Sequence, residues 1–186
     1  MKQYVAEFPW AETADTFATI DEAEDNTLLD ILEPLDEARS QTLADFLAGK
    51  NLITPALILR AACTGRMLAV EHLLQHLCGY TRQRVRDMMY VRQGNVLRSA
   101  LEKTGLPANC VGVLQAACSL HSQNQEDGLT LSQDRFGRKL LEALMLLGNQ
   151  QSLQSRQQQV EFVARYANPA VRGIAKKLKS NLARAA

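Results

Sequence analysis

Apolar residues between positions 54 and 107 recur at spacings of three and four, in short runs separated by glycine. This pattern predicts four short amphipathic helices joined by tight turns. The first begins at Thr54-Pro55, because the threonine hydroxyl can accept a bond from a first-turn amide and proline loses none there. Helices this short cannot bury an apolar face alone. We therefore expect an all-α fold of stacked antiparallel helix pairs, with seven to nine helices in total.

The same reasoning places helix boundaries along the rest of the chain. Glycines 65, 79 and 105 end the first, second and fourth of these helices, and Thr81 caps the third. A helix from Pro107 is apolar nearly all round, which indicates a central, buried position, and residues 121–130 are predicted to form a polar loop. Further helices are expected over residues 36–50 (Leu43, Phe46 and Leu47 inward, Gly49 providing a left-handed end), over 132–147, around 150–164 and from Pro169 onward.

Five leucines lie at the centres of these apolar stripes and are predicted to be buried. They are Leu73, Leu77, Leu114, Leu144 and Leu178. Other residues expected to face inward include Val96 in the fourth helix and Ile174 in the last helix.

Charge divides the chain unevenly. The net charge of +1 combines −10 over residues 1–37 with +11 over residues 38–186. Residues 1–27 show no sustained period, so they are predicted to be an acidic, partly flexible arm, with residues 28–186 as a single helical domain. The aromatic residues Phe8, Trp10 and Phe17 are candidates for docking this arm on the body, where it would cover a basic binding surface.

The C-terminal segment is the most basic part of the body. Arg172, Lys176 and Lys179 share one helix face, and with Arg165 they are candidate partner-binding residues. A basic helix face suits an acidic protein partner, and it also suits a phosphate backbone. The plainest interpretation of these charges is a solvated helix face. The segment lacks the aromatic residues on which single-stranded nucleic acids stack, so among binding functions a protein partner is favoured and a nucleic-acid-associated regulator is the alternative.

The four cysteines lie in apolar helix faces without paired spacing, which indicates buried thiols in a cytoplasmic protein. No apolar run approaches the length that spans a bilayer, so no membrane association is expected. The N-terminus has neither the basic region nor the apolar core of a secretory signal. No catalytic motif is present, so we predict a non-enzymatic protein without a cofactor, and the sequence leaves homo-oligomerisation open.

His72 and His76 lie four residues apart and would project from one helix face. That spacing can hold a transition metal, but a third ligand is not placed nearby, so no metal site is predicted and the face is expected to be solvated. His76 also precedes Gly79 as in histidine phosphotransfer proteins, although Cys78 stands where their lysine would neutralise the phosphate. A small helical enzyme or a phosphotransfer protein therefore remains a remote alternative.

A resemblance to a known family rests on residues 57–107. The matching positions are Leu59-Arg60-Ala61, Gly65, Glu71, Leu77, Gly79, Val85-Arg86 and Gly105-Leu106-Pro107. This pattern resembles the central motif of an uncharacterised, mainly alphaproteobacterial family of all-helical domains. Val70 and Thr104 depart from it. The family has no assigned activity, so the resemblance implies a fold but no function.

Residues 168–172, Asn-Pro-Ala-Val-Arg, resemble the start of the second helix of a HEAT repeat. This resemblance favours a HEAT-like helical repeat over an irregular bundle. Stacked helices usually present a surface to partners. The sequence therefore predicts a cytoplasmic protein-interaction or regulatory module.

Overall fold

The computed structural model describes residues 14–32, 37–91, 95–103, 106, 110–147 and 153–184, and within these ranges the chain is all-α, as predicted. Ten α-helices and no strand occur there, and all but one of the helices have at least nine residues. They are α1 (Ala14–Leu32), α2 (Glu37–Gly49), α3 (Pro55–Thr64), α4 (Met67–Cys78), α5 (Arg82–Arg86), α6 (Asn95–Lys103), α7 (Val111–Glu126), α8 (Gln133–Leu147), α9 (Leu153–Tyr166) and α10 (Pro169–Arg184). α5 continues into a π-helical turn, Asp87–Val91.

The helix ends in the central region follow the predicted local chemistry. The Thr54 hydroxyl accepts a hydrogen bond from the Leu57 amide at 3.1 Å, and Pro55 opens α3. Gly65 (φ +80°) and Gly79 (φ +63°) end α3 and α4 in the left-handed region. The Thr81 hydroxyl likewise accepts from the Arg84 amide at the start of α5. These turns are short enough to keep consecutive helices packed side by side.

α3 lies at the centre of the fold. Every residue from 57 to 64 is buried, and α3 contacts α1, α4, α7, α8 and α9. α7, the helix that the sequence predicted to be central, is also largely buried and packs against α3, α4 and α8. The aromatic ring of Phe136 on α8 packs directly over Gly65, which brings α8 against the turn between α3 and α4.

The predicted core is confirmed for most positions. Leu73, Leu114 and Leu144 are buried, whereas Leu77 and Leu178 are only partly buried at the edge of the core. Three residues predicted to face inward, Phe46, Val96 and Ile174, are exposed. Each lies at the border of its apolar stripe, where a small rotation of the helix decides between core and solvent.

Two boundary predictions are wrong. The left-handed residue after α2 is Asn51 (φ +54°) instead of Gly49, because the chain continues through a turn at Lys50 and Asn51 before it leaves the helix. Residues 121–126, predicted to be a loop, belong to α7, which ends at Asp127 and Gly128 (φ +64°). Polar residues alone do not end a helix when one of its faces, here including Leu120 and Asn124, is buried.

The N-terminal region also differs from the prediction. α1 begins at Ala14 and crosses the expected boundary at residue 27, so residues 14–27 are helical. Phe8 and Trp10, two of the aromatic residues expected to dock the arm, lie outside the described residues, as does the side chain of Phe17. Among the helices described, none is long and apolar enough to cross a bilayer.

Candidate partner-binding surface

α1 is held on the body by one apolar contact region and a row of acidic side chains. Leu29 is buried in the core, and Leu28 packs partly against it. Glu22, Asp25 and Asp30 point toward arginines of the body. The acidity that suggested an unstructured arm therefore serves to attach a helix.

Arg60 lies in the middle of α3 and is only 5% exposed. Its Nε donates to Asp25 Oδ2 at 3.3 Å, and its Nη1 lies 3.7 Å from Glu22 Oε1. The guanidinium also lies 5.8 Å from the centre of the Tyr166 ring. A buried guanidinium is costly without compensating charge, so these acidic partners are part of what allows arginine at this position.

Two further arginines of the body, Arg66 and Arg172, pair with acidic residues of α1. Arg66, which precedes α4, pairs with Asp30, and Arg172 in the first turns of α10 forms a two-pronged pair with Glu22. Arg172 is held in place locally, since its Nε donates to the Ala167 carbonyl. We call Arg60, Arg66 and Arg172 the arginine surface; it is the part of the body that α1 covers.

A polar cavity of about 250 Å³ remains between α1 and this surface. Asn26 and Asp30 of α1 line it, together with Arg66 and Arg172. The contact is therefore not a close-packed apolar interface along its whole length. Ion pairs around a polar gap hold this part of α1, whereas Leu29 anchors it to the core.

The four basic residues predicted as a partner-binding face do not form one site. Arg172 joins the arginine surface, whereas Lys179 pairs with Glu161 at 2.6 Å on a neighbouring helix. Lys176 is exposed, and the Arg165 guanidinium lies 5.5 Å from the Tyr166 ring. Arg60 and Arg66 were not predicted as binding residues. The available signal was an arginine in the middle of the otherwise apolar run Leu57–Cys63.

The predicted solvated histidine face is wrong for two of its residues, because α2 and α5 cover it. His72 is 1% exposed, and Glu71 is buried as well. Burial lowers the pKa of His72, and the neighbouring His76 lowers it further. His72 Nδ1 lies 3.0 Å from Gln41 Oε1, which fits a neutral ring that donates from Nδ1.

This arrangement offers little to a metal or a phosphoryl group. His76 Nε2 lies 2.8 Å from Asp45 Oδ1, so a phosphoryl group there would meet a carboxylate. Throughout the described ranges, no group of three or more histidine, cysteine, aspartate or glutamate side chains is placed to hold a metal ion. The His72–Gln41 and His76–Asp45 contacts instead join α2 to α4.

Glu71 forms the second buried polar cluster. Its carboxylate lies 3.4 Å from Arg82 and 3.9 Å from Arg86 on α5. Burial raises the pKa of Glu71, although Arg86 opposes the shift, and burial together with Glu71 raises the pKa of Tyr90 in the π-helical turn. π-helical turns occur frequently at functional sites, but the polar cavity beside α1 and the two cavities lined by α8 residues do not include residues of this cluster.

Three of the four cysteines lie in surroundings that disfavour the reactive thiolate. All four are free thiols, and Cys63, Cys110 and Cys118 are buried. Burial raises the pKa of Cys63 and of Cys118 to about 12. These thiols are therefore protonated at neutral pH, and the protonated form is a poor nucleophile.

Comparison with known proteins identifies a family. The match to DUF2336, described as an uncharacterised protein conserved in bacteria, covers residues 1–154, from the N-terminus to the start of α9. No curated protein and no solved structure matches the chain. The predicted resemblance to an uncharacterised bacterial family is confirmed, whereas the alphaproteobacterial and HEAT-like features stay predictions. The chain belongs to the DUF2336 family of uncharacterised bacterial proteins.

Proposed function

We propose that this protein is a non-enzymatic interaction module in which the acidic helix α1 covers the arginine surface until an acidic protein partner displaces it. The observation that carries the proposal is the pairing of Glu22, Asp25 and Asp30 with three arginines from separate parts of the chain. A partner that presents carboxylates at similar positions would replace the same ion pairs.

The contact is of a strength that a partner can overcome. Displacing α1 exposes Leu29, which costs about 1.5–3 kcal/mol for one fully buried leucine. Asp30 is 65% exposed, and solvent-exposed ion pairs contribute on the order of 0.2–1 kcal/mol each. The Arg60 pairs are better shielded from solvent, so their attraction is stronger but is offset in part by the cost of desolvating the charges. A protein partner of ordinary affinity supplies about 8 kcal/mol or more, which is enough to compete.

Other features support this class of function. Free cysteines are typical of a reducing compartment, which supports the proposal that the protein acts in the bacterial cytoplasm. The buried titratable clusters, Gln41–His72 and Glu71–Arg82, join helices within the fold, which favours a binding protein over an enzyme. Nucleic-acid binding by α10 is less favoured, because the described part of α10 carries no aromatic residue on which bases could stack.

The proposal can be tested by weakening the cover without removing it. The double variant Glu22→Gln/Asp30→Asn keeps the helix and the Asp25–Arg60 pair but removes the carboxylates opposite Arg66 and Arg172. A labelled peptide with the sequence of residues 14–32 then serves as an acidic probe in trans. Its affinity for the double variant should exceed that for the wild type by about tenfold, and salt should weaken the binding.

The matched control is Glu126→Gln/Asp127→Asn, which makes the same charge change at two exposed residues at the end of α7. It should bind the peptide as weakly as the wild type does. If the control binds the peptide as tightly as the Glu22→Gln/Asp30→Asn variant does, and both bind more tightly than the wild type, net charge alone acts. If neither variant binds more tightly than the wild type, α1 does not compete with the peptide. Either result would refute a specific cover. Affinity purification with the double variant from the native bacterium would then identify the cellular partner.

A further inference from the structure

A second surface lies on the opposite side of α10, where it forms a shallow groove with α8. The groove has a volume of about 290 Å³ and is lined mainly by Leu141, Met145, Ile174 and Leu178. Two charged residues, Arg138 and Glu142, also line it and lie one helical turn apart on α8. Its lining is predominantly apolar, in contrast to the polar cavity beside α1.

One apolar residue that lines this groove, Ile174, is 42% exposed, whereas Leu141 at its floor is buried. Leu146, which follows Met145 on α8 but does not line the groove, is 75% exposed. Leu178 and Met145 are partly buried and pack against the core. Exposed aliphatic side chains next to a concave apolar floor are typical of docking sites for an amphipathic helix.

Charge identifies the kind of helix that fits. The described length of α10 carries five basic residues and no acidic residue, and α8 adds three basic and two acidic residues. Lys177 follows Ile174 by one turn, so a cation lies next to the groove on the α10 side, as Arg138 does on the α8 side. Glu142 offsets Arg138 locally, and Arg172 and Lys179 are paired with Glu22 and Glu161. The attraction for acidic partners therefore comes from the other bases of α10, which are Lys176, Lys177 and Arg184.

We infer that the groove between α8 and α10 is a docking site for an acidic amphipathic helix of a protein partner. The segment of α8 from Arg138 to Met145 spans roughly 11 Å, or about two helical turns. It therefore accommodates apolar side chains at positions i, i+3 or i+4, and i+7 of the incoming helix, with glutamates or aspartates toward the basic rim. This inference deepens the proposed function, on which it rests, by specifying a second contact that the same partner makes.

The groove and the arginine surface can be tested separately. Arg172 and Ile174 are two residues apart on α10, so their side chains project about 200° apart around the helix axis. Substitutions in the groove therefore leave the Glu22–Arg172 pair in place. The family match ends at residue 154. One wall of the groove, α8, therefore lies within the matched part of the chain, and the other wall, α10, lies beyond it.

The experiment uses the full-length protein and a labelled 18-residue peptide with leucines at helical spacing and glutamates elsewhere. Fluorescence anisotropy measures its affinity for the wild type, for Ile174→Asn and for Val96→Asn. Val96 is also β-branched and is 51% exposed on α6, so it matches Ile174 in chemistry and exposure. Ile174→Asn should weaken binding about tenfold, and Val96→Asn should leave it unchanged.

A second pair of variants tests the charge requirement without changing the apolar floor. Arg138→Gln/Lys177→Gln should weaken binding and reduce its salt dependence, whereas Lys50→Gln/Arg98→Gln, the same charge change elsewhere, should not. Circular dichroism on each variant confirms the fold. Undiminished binding to both groove variants overturns the inference. Binding that ignores Ile174→Asn but rises in Glu22→Gln/Asp30→Asn would place the peptide on the arginine surface, which refutes the groove and supports the proposed function.

Anionic lipid vesicles provide the remaining arm of the test, because a basic groove with exposed leucine and isoleucine resembles a membrane-binding surface. Vesicles with 30% phosphatidylserine should not co-sediment with the wild type under conditions where the peptide binds. Sedimentation that Ile174→Asn abolishes, together with no peptide binding, overturns the protein-helix inference in favour of a lipid surface.

Discussion

Gly65 shows how a single residue joins two distant helices. Its φ of +80° is one that L-residues rarely adopt, and a Cβ atom there would lie 2.7 Å from the ring of Phe136. Gly65→Ala should therefore combine backbone strain with a steric clash and destabilise the protein by about 2–4 kcal/mol. Urea unfolding followed by circular dichroism measures this change.

Gly79 provides the control for Gly65. Its φ is +63°, but no atom lies within 4 Å of the position that a Cβ would take, so Gly79→Ala should cost only the backbone term of about 1 kcal/mol. The difference between the two variants isolates the contact with Phe136. Equal destabilisation would mean that the ring moves away at no cost and that α8 is not fixed by this turn.

His72 makes the stability of the protein depend on pH. Because burial lowers its pKa from the ordinary value of 6.5, the unfolded chain takes up a proton at His72 as the pH falls below 6.5, and the folded chain does so only at lower pH. Stability therefore falls through this window. His72→Asn keeps a donor for Gln41 but cannot titrate, so its stability should decline less steeply between pH 7 and pH 5.

Other buried groups also make stability depend on pH, but they are common to both proteins. Burial lowers the pKa of His121 and raises that of Glu71, which act in opposite directions. Asp45, by contrast, opposes the lowering at His72 itself. The comparison of slopes between the wild type and His72→Asn thus isolates one residue. Parallel stability curves would show that His72 is protonated or solvated in the folded protein, contrary to its burial.

At the residue scale, the sequence predicts what depends on neighbours along the chain. The caps at Thr54, Gly65 and Gly79 were predicted because their hydrogen bonds and dihedral angles involve residues within one turn. The burial of His72 could not be predicted in this way, because it depends on α2, which begins 35 residues earlier in the chain. Local spacing placed His72 on a polar face correctly, but it could not show that another polar face covers it.

At the element scale, the leucines differ in what their removal should cost. Leu114 on α7 and Leu144 on α8 are buried, and truncation of either to alanine should cost about 2–5 kcal/mol. Leu178 on α10 is only partly buried beside the groove, so Leu178→Ala should cost less, about 1 kcal/mol. Denaturant unfolding of the three variants gives the order. An equally large loss for Leu178 would mean that α10 is packed more deeply than its exposure indicates.

α1 was the element that sequence patterning missed. Its buried side carries Leu29, but much of its contact with the body is made by Glu22, Asp25 and Asp30. A hydrophobic period therefore does not mark it, and high acidity is also typical of unstructured segments. The partners that order it, Arg60 and Arg172, lie between 35 and 150 residues away in sequence. No local window contains both halves of this contact.

At the scale of the whole molecule, the uneven charge distribution has a structural role. Residues 1–37 carry a net charge of −10 and the rest +11, and α1 brings part of the acidic region onto basic groups of the body. The sequence predicted this attraction but assigned the docking itself to aromatic residues, and that assignment stays a prediction. In the structure, the described contact between α1 and α10 is the pair that the Glu22 carboxylate forms with the Arg172 guanidinium.

This architecture predicts that salt loosens α1 selectively. Raising the ionic strength from 0.1 M to 1 M shortens the screening length from about 10 Å to about 3 Å. The pairs of Asp30 with Arg66 and of Glu22 with Arg172 should then weaken by on the order of 0.2–1 kcal/mol each. Hydrogen exchange of the α1 amides should accelerate several-fold, because local opening exposes them without unfolding the rest.

α3 provides the internal reference for this measurement, since every residue from 57 to 64 is buried and its amides exchange only on larger openings. Their protection should change little with salt. If α3 accelerates in parallel with α1, the two open together, and a partner could not displace α1 without unfolding the core. If α1 does not respond, Leu29 and its apolar contacts hold the helix by themselves. Selective acceleration of α1 is the result that a displaceable cover requires.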